Sequence, residues 1–131
     1  MHELVLVILA TDDLPRLRQF YIDLTGWQPE VDEDNYVELN SGSMRLGLYD
    51  RPSFLDNLTR DARLAPNKPG DLRPAELYFT VPDPEMVMQA ALAAGAQDLA
   101  PVTTKDWGDR VGYIADPDGN VCAIAAPAQS N

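Results

Sequence analysis

With 131 residues, 45% hydrophobic content and one cysteine, the chain has the size and apolar content of an ordinary domain and cannot form an intrachain disulfide framework or a cysteine-based zinc cluster. Its formal charge of −11 gives a carboxylate-dominated surface that repels phosphate backbones and anionic headgroups, which argues against nucleic-acid and membrane partners. A lone thiol fits a reducing compartment, so the expected location is cytoplasmic.

The β-branched and aliphatic run over residues 3–10 reads as a buried strand, too short to span a bilayer and without a cleavage-site pattern. Asp12 and Asp13 then offer an N-cap, Pro15 sits where a first helical turn tolerates it, and Leu14, Leu17, Tyr21 and Leu24 recur at helical spacing up to Gly26. Strands are expected at Trp27 to Val31, Tyr36 to Leu39 and Met44 to Tyr49, and a short helix at Phe54 to Leu58 within a proline-punctuated segment. The first pattern then returns: a strand at Ala75 to Val81, the Asp83-Pro84 helix start, an alanine-rich helix to Ala94, and Gly95. Strands at Gln97 to Pro101, Arg110 to Ala115 and Val121 to Ala125 follow, with Asp118-Gly119 as the last hairpin turn and a frayed tail over 127–131. The expected fold class is α+β, a single domain of two tandem βαβββ modules: module one 3–50, linker 51–74, module two 75–126.

Specific residues sharpen this duplication. Asp13, Phe20-Tyr21 and Leu24-Thr25-Gly26-Trp27 in the first half, with Val81-Pro82-Asp83, Ala94-Gly95-Ala96, Trp107-Gly108-Asp109-Arg110 and Asp116-Pro117-Asp118-Gly119-Asn120 in the second, stand in a family-like order. The chain thereby resembles the vicinal oxygen chelate superfamily, the glyoxalase and bleomycin-resistance-like proteins. That resemblance implies a curved mixed sheet closing into a cup, a homodimer, and in the metalloenzymes four donors on the first and last strands of the two modules. Counting back seven residues from Asp13 and from Asp83 reaches Leu6 and Glu76; Ala123 and Gly47 stand at the other two positions. Three of these four carry no donor, so no metal and no cofactor are expected. His2 is upstream of the ligand position and reads as a terminal histidine. Asp116 and Asp118 do not complete a calcium loop, because its twelfth position is Pro127.

Glu76, Tyr78 and Thr80 alternate against Leu77, Phe79 and Val81, which puts Glu76 on the cup face as an acid to be satisfied by Arg45, a tyrosine hydroxyl, water or a cationic ligand. Tyr49, Tyr78 and Trp107 are candidate stacking walls, while Arg110 either meets an anionic group or holds a strand in place. The expected ligand-binding set is thus Glu76, Tyr78, Arg45, Tyr49, Trp107 and Arg110. The leading expectation is a metal-independent binding protein for a cationic or aromatic small molecule, of the kind that sequesters a drug or toxin. A metal-free isomerase or lyase with Glu76 as general base, and a regulatory or structural dimer, are the alternatives.

Overall fold

A computed structural model describes residues 2–58, 60–66 and 68–128, so the last three residues of the expected frayed tail lie outside the described set. The chain divides into two compact units, Met1–Pro66 and Asn67–Asn131. In the first, β1 (Leu6–Thr11), α1 (Leu14–Thr25), β2 (Pro29–Asp32), β3 (Tyr36–Asn40) and β4 (Arg45–Asp50) are followed by α2 (Arg51–Asp56). The second repeats the order with β5 (Glu76–Thr80), α3 (Pro84–Ala93), β6 (Gln97–Thr104), β7 (Arg110–Ala115) and β8 (Val121–Ala126). Each unit forms a four-stranded sheet, ordered β1-β4-β3-β2 and β5-β8-β7-β6, whose first strand runs parallel to its last while the other pairs are antiparallel. No helix among the described residues is long and apolar enough to cross a membrane.

The same capping chemistry starts both long helices. Asp13 accepts from Arg16 N at 3.2 Å and Asp83 accepts from Met86 N at 3.2 Å, each satisfying an N–H that has no intrahelical acceptor. Gly26, at φ 72°, ends α1 by returning its N–H to Ile22 O at 2.8 Å. Leu14, Leu17, Phe20 and Tyr21 of α1 are buried, as are Val37, Leu39, Leu46 and Leu48 of β3 and β4. Burial of each such side chain contributes about 1.5–3 kcal/mol, which fixes the face of the sheet that the helix covers. By alternation Tyr36, Glu38, Arg45, Gly47 and Tyr49 lie on the opposite face.

Four elements differ from expectation by two residues or more. Leu4 and Val5 are exposed and β1 begins only at Leu6, where parallel pairing with Arg45 starts. Trp27 stays out of β2 because its N–H is given to Thr25 Oγ1 at 3.0 Å, at the end of α1. The short helix starts three residues earlier than the apolar pattern suggests, since Asp50 caps it through Ser53 N at 2.8 Å with Pro52 in the first turn. Finally, β6 runs through Pro101 to Thr104. An edge strand tolerates a residue without an N–H, and the register of the β6–β7 pair shifts between Asp98 and Ala100 and again between Ala100 and Thr103, the interval that holds Pro101.

The loop from β7 to β8 is tied by one side chain. The Asp116 carboxylate, 3% exposed, accepts from Asp118 N and Asn120 N, each at 2.9 Å, and from Asn120 Nδ2 at 2.8 Å. The Asp-Pro-Asp-Gly-Asn run is therefore a turn held by its own acid. The segment before β5 docks on it, with Arg73 N donating to Gly119 O at 2.8 Å.

Candidate ligand-binding site

In the second unit, Tyr78 of β5 lies opposite Ala123 of β8, which lies opposite Tyr113 of β7, so two tyrosines flank an alanine in one row across three strands. Val111, Ala123 and Ala125 on this face are buried, and Tyr113 packs against them. The turn before β7 supplies the remaining parts. It is closed by Lys105 N donating to Asp109 O at 2.8 Å and Gly108 N donating to Lys105 O at 3.0 Å. That closure aims three side chains at the two tyrosines. Trp107 Nε1 donates to the Tyr78 hydroxyl at 3.0 Å, the hydroxyl donates to Asp109 Oδ2 at 2.7 Å, and Lys105 Nζ stands 5.3 Å from the Tyr113 ring centroid.

Both phenols are held in their neutral form. Asp109 accepts a hydrogen bond from the Tyr78 hydroxyl and raises its pKa against the opposing donation from Trp107. Burial, followed by the negative charge of Glu76, raises that of Tyr113. Trp107 is 56% exposed and Tyr78 45% exposed although their polar atoms are paired. The result is an aromatic ledge with fixed orientation and uncovered surface, bordered by the carboxylates of Glu76 and Asp109. Glu76 is itself exposed, so it is wet and carries no large desolvation cost.

Of the residues expected from sequence, Glu76, Tyr78 and Trp107 come together here. Arg110 turns the other way. It shares the parity of Gly112, at which an added Cβ would meet Met88 Sδ of α3 at 3.0 Å, and its guanidinium pairs with Glu85 in the first turn of that helix. An arginine so engaged pins β7 to α3. Asp109, Lys105 and Tyr113 were missed, although Asp109 stands inside the Trp107-Gly108-Asp109-Arg110 motif.

Arg45 and Tyr49 belong to the first unit. The Arg45 guanidinium Nε is 3.9 Å from Glu30 Oε2, both exposed. Tyr49 meets the rings of Tyr36 and Phe54 edge-on, at centroid separations of 5.0 and 6.4 Å, and its hydroxyl accepts from Asn57 Nδ2 at 3.3 Å. Burial, reinforced by Glu38, pushes the Tyr36 pKa from 10.0 up to about 12. Because the folded value lies above the ordinary one, the neutral phenol is the form the fold favours; its stabilising contribution is complete below the ordinary value and is lost as pH rises toward 12. An ultraviolet titration of the folded protein is expected to show a tyrosine ionising near 12, and Tyr36→Phe is expected to delete that step. If the latest step persists in Tyr36→Phe, the assignment fails.

The four positions at which the resemblance implies metal ligands also take defined places. Leu6 pairs with Arg45, two residues before Gly47, and Glu76 pairs with Val121, two residues before Ala123, so the two units match in register. A Cβ on Gly47 would come within 2.7 Å of the Tyr36 hydroxyl, which fills the space a donor side chain needs. Leu6 and Ala123 end in hydrocarbon. One carboxylate does not fit a divalent ion that needs several converging donors, and among the described residues no three His, Cys, Asp or Glu side chains converge.

The sequence model of the glyoxalase-like domain family matches residues 6–125, nearly the whole chain. The chain belongs to the glyoxalase-like domain family. Among solved structures, this glyoxalase-like protein is similar to a glyoxalase-related enzyme from Fulvimarina pelagi, with 23% identity and a TM-score of 0.81 over 96% of this chain and 88% of the other. It is also similar to a glyoxalase/bleomycin resistance protein/dioxygenase family enzyme from Burkholderia phytofirmans PsJN, with 21% identity and a TM-score of 0.80 over 96% of this chain and 99% of the other. These likenesses establish the vicinal oxygen chelate fold, with its two tandem modules of mixed sheet and helix. An uncharacterized protein of Mycobacterium tuberculosis strain H37Rv is 36% identical over 56 residues, 43% of this chain; the match spans about a third of that relative's length.

Proposed function

We propose that this glyoxalase-like protein binds a cationic or aromatic small molecule without the help of a metal, on the face of the second sheet that carries Glu76, Tyr78, Trp107 and Asp109. The observation that carries the reading is the chain of hydrogen bonds from Trp107 through Tyr78 to Asp109, which holds a half-exposed indole and phenol in one orientation. Fixed aromatic surface loses little conformational freedom when a ligand stacks on it, so more of the contact energy remains as affinity. Two carboxylates at its border favour a positive group on that ligand. Metal independence is supported by Leu6, Gly47 and Ala123 at three of the four ligand positions. Binding without turnover would suit sequestration of a drug or toxin.

The test is a thermal-shift screen of cationic and aromatic compounds on chelator-treated protein, followed by calorimetry on the compounds that stabilise it. Compounds carrying both an aromatic ring and a cation are expected to dominate. Because Glu76 is exposed, Glu76→Gln is expected to weaken their binding by about 1 kcal/mol, roughly fivefold, rather than by the larger loss of a buried ion pair. Equal affinities in wild type and variant would remove Glu76 from the site. Binding that requires an added divalent ion would overturn metal independence.

A further inference from the structure

The Tyr113 ring is already occupied by a cation from its own chain. Lys105 places its ammonium 5.3 Å from the ring centroid, from the same turn that carries Trp107 and Asp109. The ring is seated on the buried Val111, Ala123 and Ala125, and Glu76 lies two residues along β5 from Tyr78 on the same face, close enough to act on the Tyr113 phenol. A fixed aromatic ring with a carboxylate beside it is the arrangement that recognises ammonium groups. We infer that the Tyr113 ring and Glu76 form the docking point for an alkylammonium or quaternary ammonium group of the ligand, and that Lys105 holds this point in the ligand-free protein and is displaced on binding.

This inference rests on the binding role proposed above and adds the chemical class of the group that binds and the residue that competes with it. Lysine suits a displaceable cation. Its ammonium is strongly hydrated and sits on a flexible four-carbon stem, so it gives up a ring at small cost once water receives it. Lys105 thereby sets selectivity: a ligand without a positive charge leaves the lysine in place and reaches only the Trp107 and Tyr78 surface.

The probes are benzyltrimethylammonium and, as a neutral aromatic control, benzyl alcohol, titrated into the full chain while the indole N–H of Trp107 is followed by nuclear magnetic resonance. Lys105→Met removes the competing charge and keeps an apolar stem, and it is expected to bind the quaternary ammonium roughly tenfold more tightly than wild type. Lys105→Arg, which restores a cation able to cover the ring, is expected to return to near wild-type affinity. Lys68→Met controls for net charge, because Lys68 belongs to the segment that docks against the Gly119 loop, at the other end of β7. It is expected to change the affinity less than twofold. Benzyl alcohol is expected to bind all four proteins alike. Equal or weaker binding of the ammonium by Lys105→Met, or an equal gain in Lys68→Met, overturns the inference. If benzyl alcohol binds and the ammonium does not, the inference falls while the aromatic binding face survives. If neither probe binds any of the proteins, the binding face falls and takes the inference with it.

Discussion

Replacing Gly119 by alanine is expected to destabilise the protein by about 3 kcal/mol, read as a lower midpoint in urea denaturation. Two costs combine. Gly119 has φ 87°, a conformation that a side chain disfavours by about 1–2 kcal/mol. In addition, a Cβ there would lie 2.2 Å from the backbone oxygen of Asp71, and backbone cannot swing aside as a side-chain tip can. The segment before β5 would have to retreat, losing the bond from Arg73 N to Gly119 O. Gly42→Ala separates the two costs, because Gly42 also has positive φ, 102°, but has no neighbour within 4 Å of an added Cβ. Its expected loss is about 1 kcal/mol. Equal losses at the two positions would show that the Asp71 contact yields freely and that the docking of the segment matters little.

Trp107→Ala is expected to weaken binding of an aromatic cation by about 2 kcal/mol, roughly thirtyfold, while changing stability by well under 1 kcal/mol. The split follows from exposure. With more than half of its surface in solvent, the indole buries little apolar area in the free protein, but a stacked ligand would cover it and gain the full contact. The substitution also removes the donor to the Tyr78 hydroxyl, which loosens the phenol against Asp109. Calorimetry on a compound from the screen, paired with urea denaturation of both proteins, checks both halves. A large stability loss with unchanged affinity would make Trp107 a packing residue and leave the binding face without its principal wall.

Much of the architecture was legible because its signals are local. Asp13 and Asp83 each cap a helix through the backbone N–H three residues on, a chemistry confined to one turn and readable from residue type and spacing. In β5 the alternation of Glu76, Tyr78 and Thr80 with Leu77 and Phe79 separates the two faces cleanly. The register of the sheets confirms the correspondence of Leu6 with Glu76 and of Gly47 with Ala123 across the duplication. For the short helix the apolar cluster at Phe54 to Leu58 is the weaker signal, and the capping aspartate Asp50 sets the start.

Strands β7 and β8 show where local signals end. Beyond Arg110, their sequences, RVGYIA and VCAIAA, are largely apolar on both faces, so alternation carries no sign of which face meets the helix. Arg110 could not be assigned from that pattern, and its pairing with Glu85 became visible only once α3 had a definite position on the sheet. The Trp107, Tyr78 and Asp109 chain joins residues some thirty positions apart, and it depends on strand register and on the closure of the 105–109 turn. By itself, then, the sequence determined the two-module α+β plan and the helix caps, because residue identity and near-neighbour spacing suffice for each. Tertiary structure alone decided that Arg110 pairs with Glu85 and that Asp109, Lys105 and Tyr113 join Glu76, Tyr78 and Trp107, because side-chain direction across a sheet follows from register and from which face the helix buries.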